Sequence, residues 1–383
     1  MEKILLVDAN FSSAPIYDYL LSTGAEVYVC GANPADYLAK AVPNYINFDY
    51  SDVGKLRSFV KSLGIKYVVP GCNDRSYHAC AELNKDGEFL GIDDCNSTEA
   101  INNKEKFRRL AQEIGIPVPR VIGVESMEHE WPVIVKPTDA YSGLGIAVIS
   151  RSDAKLLPQA IENAKLFSRS KTCIVEEYVE GQLFSHSAFI RDGEVFRDFI
   201  VEEFCNVNPF VVDTSRVVTD FSEKLLSVLR EAIAKLSKKL NFGDGLVHTQ
   251  FISRGSSVWL IELTRRCPGD LYSKLIEDST GFPYAATYAK PFVGASMFED
   301  FSLMTSKHVM RHTITLPVEK IYGQLEFSRA VEIRRFVPLS VVGDLVKKSP
   351  SGRIGVLFVL AESEAHLADL MQATSRRELY KVH

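Results

Sequence analysis

The first apolar run, "KILLV" at 3–7, is short and unbroken, and "APIYDYLLSTG" after it places apolar residues at helical spacing up to Gly24, a helix stop. "AEVYVCG" then reads as a second strand, "DVGKLRSFVKSLG" as a helix and "IKYVVPG" as another strand. Strand and helix alternate in this way to about residue 95, which predicts a doubly wound parallel sheet. Ligands of such a sheet gather beyond the carboxyl ends of its strands, here the loops "DANFSSA" and "PGCNDRS". Neither has the GxGxxG spacing that close approach to a dinucleotide pyrophosphate requires. Asn10, Ser12, Asn73 and Asp74 in these loops suit turns and helix caps as well as substrate contact.

The pattern changes after residue 101. "NNKEKFRRLAQEIGIPVP" predicts an N-capped helix with Phe107, Leu110 and Ile114 on one face, stopped by Gly115 and Pro117. Strands "PVIVKP", "GIAVIS", "TCIVEEYV" and "SHSAFI" follow one another closely, with 152–167 helical between the second and third, as in an antiparallel α+β unit. "SEKLLSVLREAIAKLSKKLNF" is amphipathic, with Leu225, Leu229, Ile233, Leu236 and Leu240 on its buried stripe. Strands "GLVHTQFIS" and "SVWLIELT" come next, joined by the turn "RGSS". Beyond 301 the pattern weakens into mixed strands such as "RIGVLFVLAES" and a helix "EAHLADLMQAT", with no motif assignable to chemistry.

At 383 residues and 46% hydrophobic content the chain exceeds one compact core and divides into units that can enclose a cleft. A net charge of -5 without a charged tail gives nucleic acid no support as a partner. The first apolar run is too short for a signal peptide, and no run approaches the ~20 apolar residues of a membrane span. The expectation is a cytoplasmic protein. Seven scattered cysteines lack a CxxC pair and eight histidines lack an HExxH pair, so zinc chemistry and a disulfide framework are disfavoured.

Three signals remain. In "VIVKPTDAYSGLGIAVIS", Lys136 precedes Ser142, Gly143 and Gly145, and strands flank both sides, so the order is wrong for a Walker A loop. It suits a hairpin whose amides close over phosphates above a strand-borne lysine, or a glycine-rich hairpin with no ligand. In "CIVEEYVEG" the strand gives way to a connection that can offer backbone groups to an adenine edge, or that is simply core. In "VHTQF" and "WLIELTRR", alternation puts His248 with Gln250, and Leu260 with Glu262 and Thr264. If the two strands pair through their turn, Gln250 faces Glu262, an oxygen pair suited to Mg2+. The other reading pairs Glu262 with Arg265 or Arg266.

Taken in order, Lys104, Lys136, the loop 142–145, the hinge 176–179, and Gln250 with Glu262-Leu263-Thr264-Arg265-Arg266 resemble the ATP-grasp superfamily, in its carbamoyl-phosphate synthetase and biotin carboxylase branch. The resemblance covers residues 3 to about 293. It implies a pre-ATP-grasp domain at 1–100, an ATP-grasp domain at 101–300 with a lid at about 118–182, and a C-terminal α+β segment at 301–383. ATP would lie between two sheets. Lys104 and Lys136 would meet its phosphates beneath a lid of Ser142, Gly143 and Gly145. Glu176, Glu177, Tyr178 and Val179 would form the adenine hinge, with Leu260 packed under the ring on Glu262's face. Gln250, Glu262 and Thr264 would hold Mg2+, or Mn2+ in its place, and Arg266 would meet the transferred phosphoryl group.

Two positions depart from the family pattern. Leu183 stands where a ribose-binding glutamate is usual, so Glu180 or Gln182 would substitute, and Thr264 stands where the metal motif has asparagine. "CNVNPFVVDTSRVVTD" is similar to the family's acceptor loop, which makes Asn206 and Arg216 candidate substrate contacts. The implied reaction is ATP-dependent joining of a small carboxylate to an amine through an acyl phosphate. Bicarbonate as the acid, or a regulator that binds ATP without turnover, are the alternatives; the oligomeric state, a homodimer included, is left open.

Overall fold

The structure is a computed structural model that describes residues 1–123, 131–140, 143–297 and 306–383. Four parallel strands, β1 (Lys3–Val7), β2 (Glu26–Gly31), β3 (Tyr45–Asn47) and β4 (Tyr67–Pro70), form the N-terminal sheet in the order β3-β2-β1-β4. Helices α1 (Ala14–Ser22), α2 (Tyr37–Ala41), α3 (Val53–Leu63) and α4 (Asp74–Leu83) connect and follow these strands. Leu5, Leu6, Val7 and Val29 are wholly buried, which is why β1 reads as a continuous apolar run. The Asn10 and Asn73 side chains accept from the backbone N–H of Ser12 and Ser76, so both cap turns at the carboxyl end of the sheet.

Helices α5 (Cys95–Asn102) and α6 (Lys104–Glu113) lead out of this domain. Asn103 caps α6 by accepting from the N–H groups of Glu105 and Lys106, and Phe107 and Leu110 are buried. A small antiparallel sheet follows in the order β6-β5-β7, from β5 (Val133–Pro137), β6 (Ala147–Ile149) and β7 (Cys173–Glu177), with α7 (Leu157–Phe167) packed on it.

The large sheet has eight strands. Six are β8 (Gln182–Arg191), β9 (Glu194–Phe204), β10 (Thr214–Val218), β11 (Gly245–Arg254), β12 (Ser257–Thr264) and β13 (His308–Ile314), in the order β12-β11-β8-β9-β10-β13. The strands Gly355–Ala361 and Glu332–Pro338 extend it beyond β13, so the chain after 301 continues the same sheet. "SHSAFI" belongs here and not with the small sheet. Helix α8 (Glu223–Leu240) lays Leu225, Leu229, Ile233 and Leu236 into the core with Phe107, Phe251, Leu260 and Leu263; Leu240 packs at its edge. Helix α9 (Tyr272–Thr280) follows β12 and packs into the core of the N-terminal sheet.

One irregularity redirects a predicted side chain. Gln250 pairs with Glu262, but Phe251 pairs with Leu260, so Ile261 is an extra residue in β12. Leu260 and Glu262 therefore face opposite sides of the sheet. Leu260 is fully buried in the core with Phe251, which corrects its expected place under a ligand ring on Glu262's face. The undisturbed alternation of β11 puts Ile252 on Gln250's face instead.

Candidate active site

The site begins with a buried charge cluster. Glu176, on β7, is inaccessible and lies between Lys136 Nζ at 2.7 Å and Arg108 Nε at 2.6 Å. Burial alone would push its carboxyl up; Lys136 and Arg108 overcome that and hold it below the usual carboxylate range. Burial pulls the Lys136 pKa down against Glu176, and the positive charges of Arg108 and Lys104 add to the pull. Two cations around one carboxylate leave an excess positive charge, a setting that favours an arriving anion.

Lys104 joins the two sheets. Its Nζ donates to Ala140 O at 2.9 Å in the loop after β5, and stands 4.0 Å from Glu262 Oε2 on β12. The Glu262 side chain is 51% exposed, and Lys104 is its cationic neighbour among the described residues. Neither arginine next to it forms an ion pair with it among the described residues, although Arg266 feels its charge. Arg265 is buried, bound to Asp93 at 2.6 Å and to the carbonyls of Leu246 and Gly243, which withdraws it from any ligand.

Arg266 forms a two-point pair with Asp74, Nε to Oδ1 at 2.9 Å and Nη2 to Oδ2 at 3.1 Å. Burial would raise the Asp74 carboxyl, but Arg266 holds it low, with Thr264 Oγ1 donating a further bond at 3.1 Å. The hydroxyl proton of Thr264 is thus committed to Asp74, and since its oxygen also accepts from the Arg266 N–H at 3.4 Å, one lone pair remains for a metal.

Among the described residues the hinge 176–179 has one unoccupied donor. Glu177 N–H is taken by Arg120 O and Tyr178 N–H by Pro132 O, while Val179 N–H meets no acceptor among the described residues. Glu177's carboxylate binds the Arg120 side chain. Gly181 lets the hinge approach β11: a Cβ there would come within 2.6 Å of Ile252 Cγ2. Gln182 Nε2 donates to the carbonyl of Glu203 at 2.8 Å. Ser142 lies outside the described residues. Gly143 has φ +70 and would bring a Cβ within 2.8 Å of Phe210, so the glycine loop is seated on the loop before β10; Gly145 sits against Phe167 and Pro137.

Arg216 lies on β10 with Nε 2.7 Å from Glu202 and Nη1 on Glu364, and Asn206 Nδ2 donates to Asp213 at 2.8 Å. Two groups escaped the sequence reading. Glu203, buried on β9, accepts from Gln250 Nε2 at 2.6 Å and Tyr272 Oη at 2.9 Å. Burial raises its carboxyl, these bonds lower it, and Glu262's charge raises it again. Arg311, inaccessible on β13, donates to Asp270 O at 2.6 Å, while Arg353 Nη1 binds Asp270 Oδ1 at 2.8 Å. Only alternation in "VEEF" and "HVMRHTI" hinted at either.

Glu262 and Gln250 stand opposite one another on paired strands, with Lys104 4.0 Å from Glu262, and an amide oxygen beside a carboxylate would fit a hard cation such as Mg2+. Among the described residues no three His, Cys, Asp or Glu side chains cluster, so such an ion would rest on few side chains together with phosphate oxygens. No helix among them is long and apolar enough to cross a membrane.

A family profile described as ATP-grasp domain matches residues 129–274. The formate-dependent phosphoribosylglycinamide formyltransferase of Prochlorococcus marinus subsp. pastoris is 27% identical over 285 residues, 69% of this chain and 70% of that protein. The carbamoyl phosphate synthase large chain of Saccharolobus islandicus is 24% identical over 253 residues, 63% of this chain. This chain spans 24% of that relative's length. Among solved structures, L-amino acid ligase from Bacillus licheniformis superposes with TM-score 0.80 at 15% identity, covering 100% of this chain and 98% of that one. N5-carboxyaminoimidazole ribonucleotide synthetase from Thermotoga maritima gives 0.74 at 17%, covering 100% and 99%. The chain carries an ATP-grasp domain. Over 129–274 the chain matches that domain, it is similar in sequence to a carbamoyl phosphate synthase large chain, and it shares the fold of an amino acid ligase along its whole length.

Proposed function

We propose that the protein is an ATP-dependent ligase that joins a small carboxylate to an amine, releasing ADP and phosphate. The observation that carries this reading is Lys104, whose Nζ bridges the loop after β5 and Glu262 on the opposite sheet. A triphosphate between the sheets would meet Lys104 and Lys136 on one side and the Gln250–Glu262 oxygens on the other. Val179 N–H is the hinge donor for an adenine edge, and Ile252 the apolar floor beneath it. The names of the relatives, an L-amino acid ligase, an N5-carboxyaminoimidazole ribonucleotide synthetase and a carbamoyl phosphate synthase, favour carbon–nitrogen bond formation.

In the first step a carboxylate oxygen attacks the γ-phosphorus, the bond to the bridging oxygen breaks and ADP leaves, giving an acyl phosphate. In the second an amine nitrogen attacks the acyl carbon, phosphate leaves and the amine loses a proton. Lys104 and Lys136 neutralise charge on the phosphate oxygens, and Arg266, held by Asp74, faces the transferred group. A bound divalent ion would supply further charge neutralisation at the Gln250–Glu262 pair. The glycine loop, seated against Phe210, keeps water from the acyl phosphate. No nucleophile from the protein is needed.

The test is phosphate release with Mg-ATP over a matrix of amino acids, small acids and amines, bicarbonate included, with the product identified by mass. An acid- and amine-dependent rate yielding the condensed product supports the ligase. Release driven by bicarbonate alone favours a carboxylating enzyme, and ATP binding without release across the matrix contradicts turnover.

A further inference from the structure

Glu203 has no part in the chemistry above, yet a carboxyl this deeply buried is costly unless its partners need it. It stands on β9 opposite Leu183 of β8, and its two oxygens are divided between two donors: Gln250 Nε2 at 2.6 Å and Tyr272 Oη at 2.9 Å. A side-chain amide has nearly the same shape at both ends, so its partners decide which end faces a ligand. Both Glu203 oxygens act as acceptors, one from Gln250 and one from Tyr272, so Glu203 takes Gln250 by its nitrogen. The amide oxygen is left on the other side with no partner among the described residues, on a side chain in register with Glu262.

We propose that Glu203 is a positioning residue that holds the Gln250 amide by its nitrogen, so that Gln250 Oε1 stands beside the Glu262 carboxylate as an oxygen ligand for the cation accompanying the nucleotide phosphates. This rests on the reading of Gln250 and Glu262 as metal side chains. Without Glu203 the amide rotates freely and offers nitrogen as readily as oxygen, and an N–H group repels a cation. Tyr272 takes the second carboxylate oxygen and keeps Glu203 from turning away. Partners of this kind behind metal ligands typically matter by about 10–100-fold in affinity.

The experiment titrates Mn2+ into the full chain with ADP, following free Mn2+ by electron paramagnetic resonance, and measures ADP binding without metal by calorimetry. Glu203→Met should weaken Mn2+ binding to the ADP complex by about 10–100-fold with metal-free ADP binding unchanged. Glu203→Gln, which retains an oxygen for Gln250 Nε2, should recover most of the loss. Gln250→Leu should lose a similar factor, and adding Glu203→Met to it should change nothing further. Parent-like Mn2+ binding in Glu203→Met, or an added loss in the double variant, overturns the proposal. Should Glu203→Met not fold, Gln250→Leu decides, because undiminished Mn2+ binding there overturns it too. If the unmodified ADP complex binds no Mn2+, the metal reading itself fails and this inference falls with it; if it does bind, the variants test Glu203 alone.

Discussion

Asp74, at the start of α4, holds Arg266, just beyond β12, by two hydrogen bonds of 2.9 and 3.1 Å. The N-terminal sheet thereby sets the direction of the arginine assigned to the transferred phosphoryl group. Asp74→Asn removes one acceptor and the negative charge while preserving shape. It should lower turnover about 100-fold, the scale of a roughly 1 Å misplacement, and leave ADP affinity unchanged. Steady-state phosphate release alongside ADP calorimetry checks this.

The cluster of Arg108, Glu176 and Lys136 separates stability from catalysis. Glu176→Leu leaves two buried cations without an anion and should destabilise the fold by about 3–5 kcal/mol, read from urea unfolding midpoints. Lys136→Met leaves Glu176 paired with Arg108 at 2.6 Å, so the fold should survive while phosphate release is lost.

Gly143 tests the seating of the glycine loop. With φ +70 and a Cβ position 2.8 Å from Phe210, Gly143→Ala opposes the seated arrangement both by strain and by collision. Strain of about 1–3 kcal/mol against that arrangement raises the KM for ATP by roughly fivefold to a hundredfold. The thermal midpoint should change little, because a half-buried surface loop is affected and not a core.

His312 gives a pH signature. Its Nδ1 meets Thr214 Oγ1 at 2.8 Å and its Nε2 meets Tyr380 Oη at 2.6 Å. Burial pulls its pKa down from 6.5 to about 4; Asp213 opposes the shift and Arg311 reinforces it. The unfolded chain therefore takes up the proton first. The contribution to stability is fully present above pH 6.5 and is lost as the pH falls towards about 4. His312→Gln should lower the thermal midpoint at pH 8 and make its decline between pH 6.5 and 4 shallower than in the parent.

Strand periods and helix stops were legible along most of the chain, because β1 is buried on both faces and α8 carries a single apolar stripe. The facing of Gln250 and Glu262 also followed from alternation and a short turn. Alternation failed at Leu260, since one inserted residue, Ile261, reverses the side and leaves no mark in composition. Arg265 and Arg266 are neighbours with opposite fates, decided by Asp93 and Asp74, 172 and 192 positions away. Glu203, Arg311 and the joining of the last strands to the large sheet are likewise long-range pairings, which local periodicity does not encode.

A crystal structure of the chain with Mg2+ and a non-hydrolysable ATP analogue tests most directly whether nucleotide lies between the two sheets. The adenine edge should lie at Val179 N–H above Ile252, and the β- and γ-phosphates between the Lys104 and Lys136 ammonium groups and an ion on Glu262 and Gln250. Nucleotide bound elsewhere, or Lys136 and Glu262 contacting no common ligand, would contradict that placement.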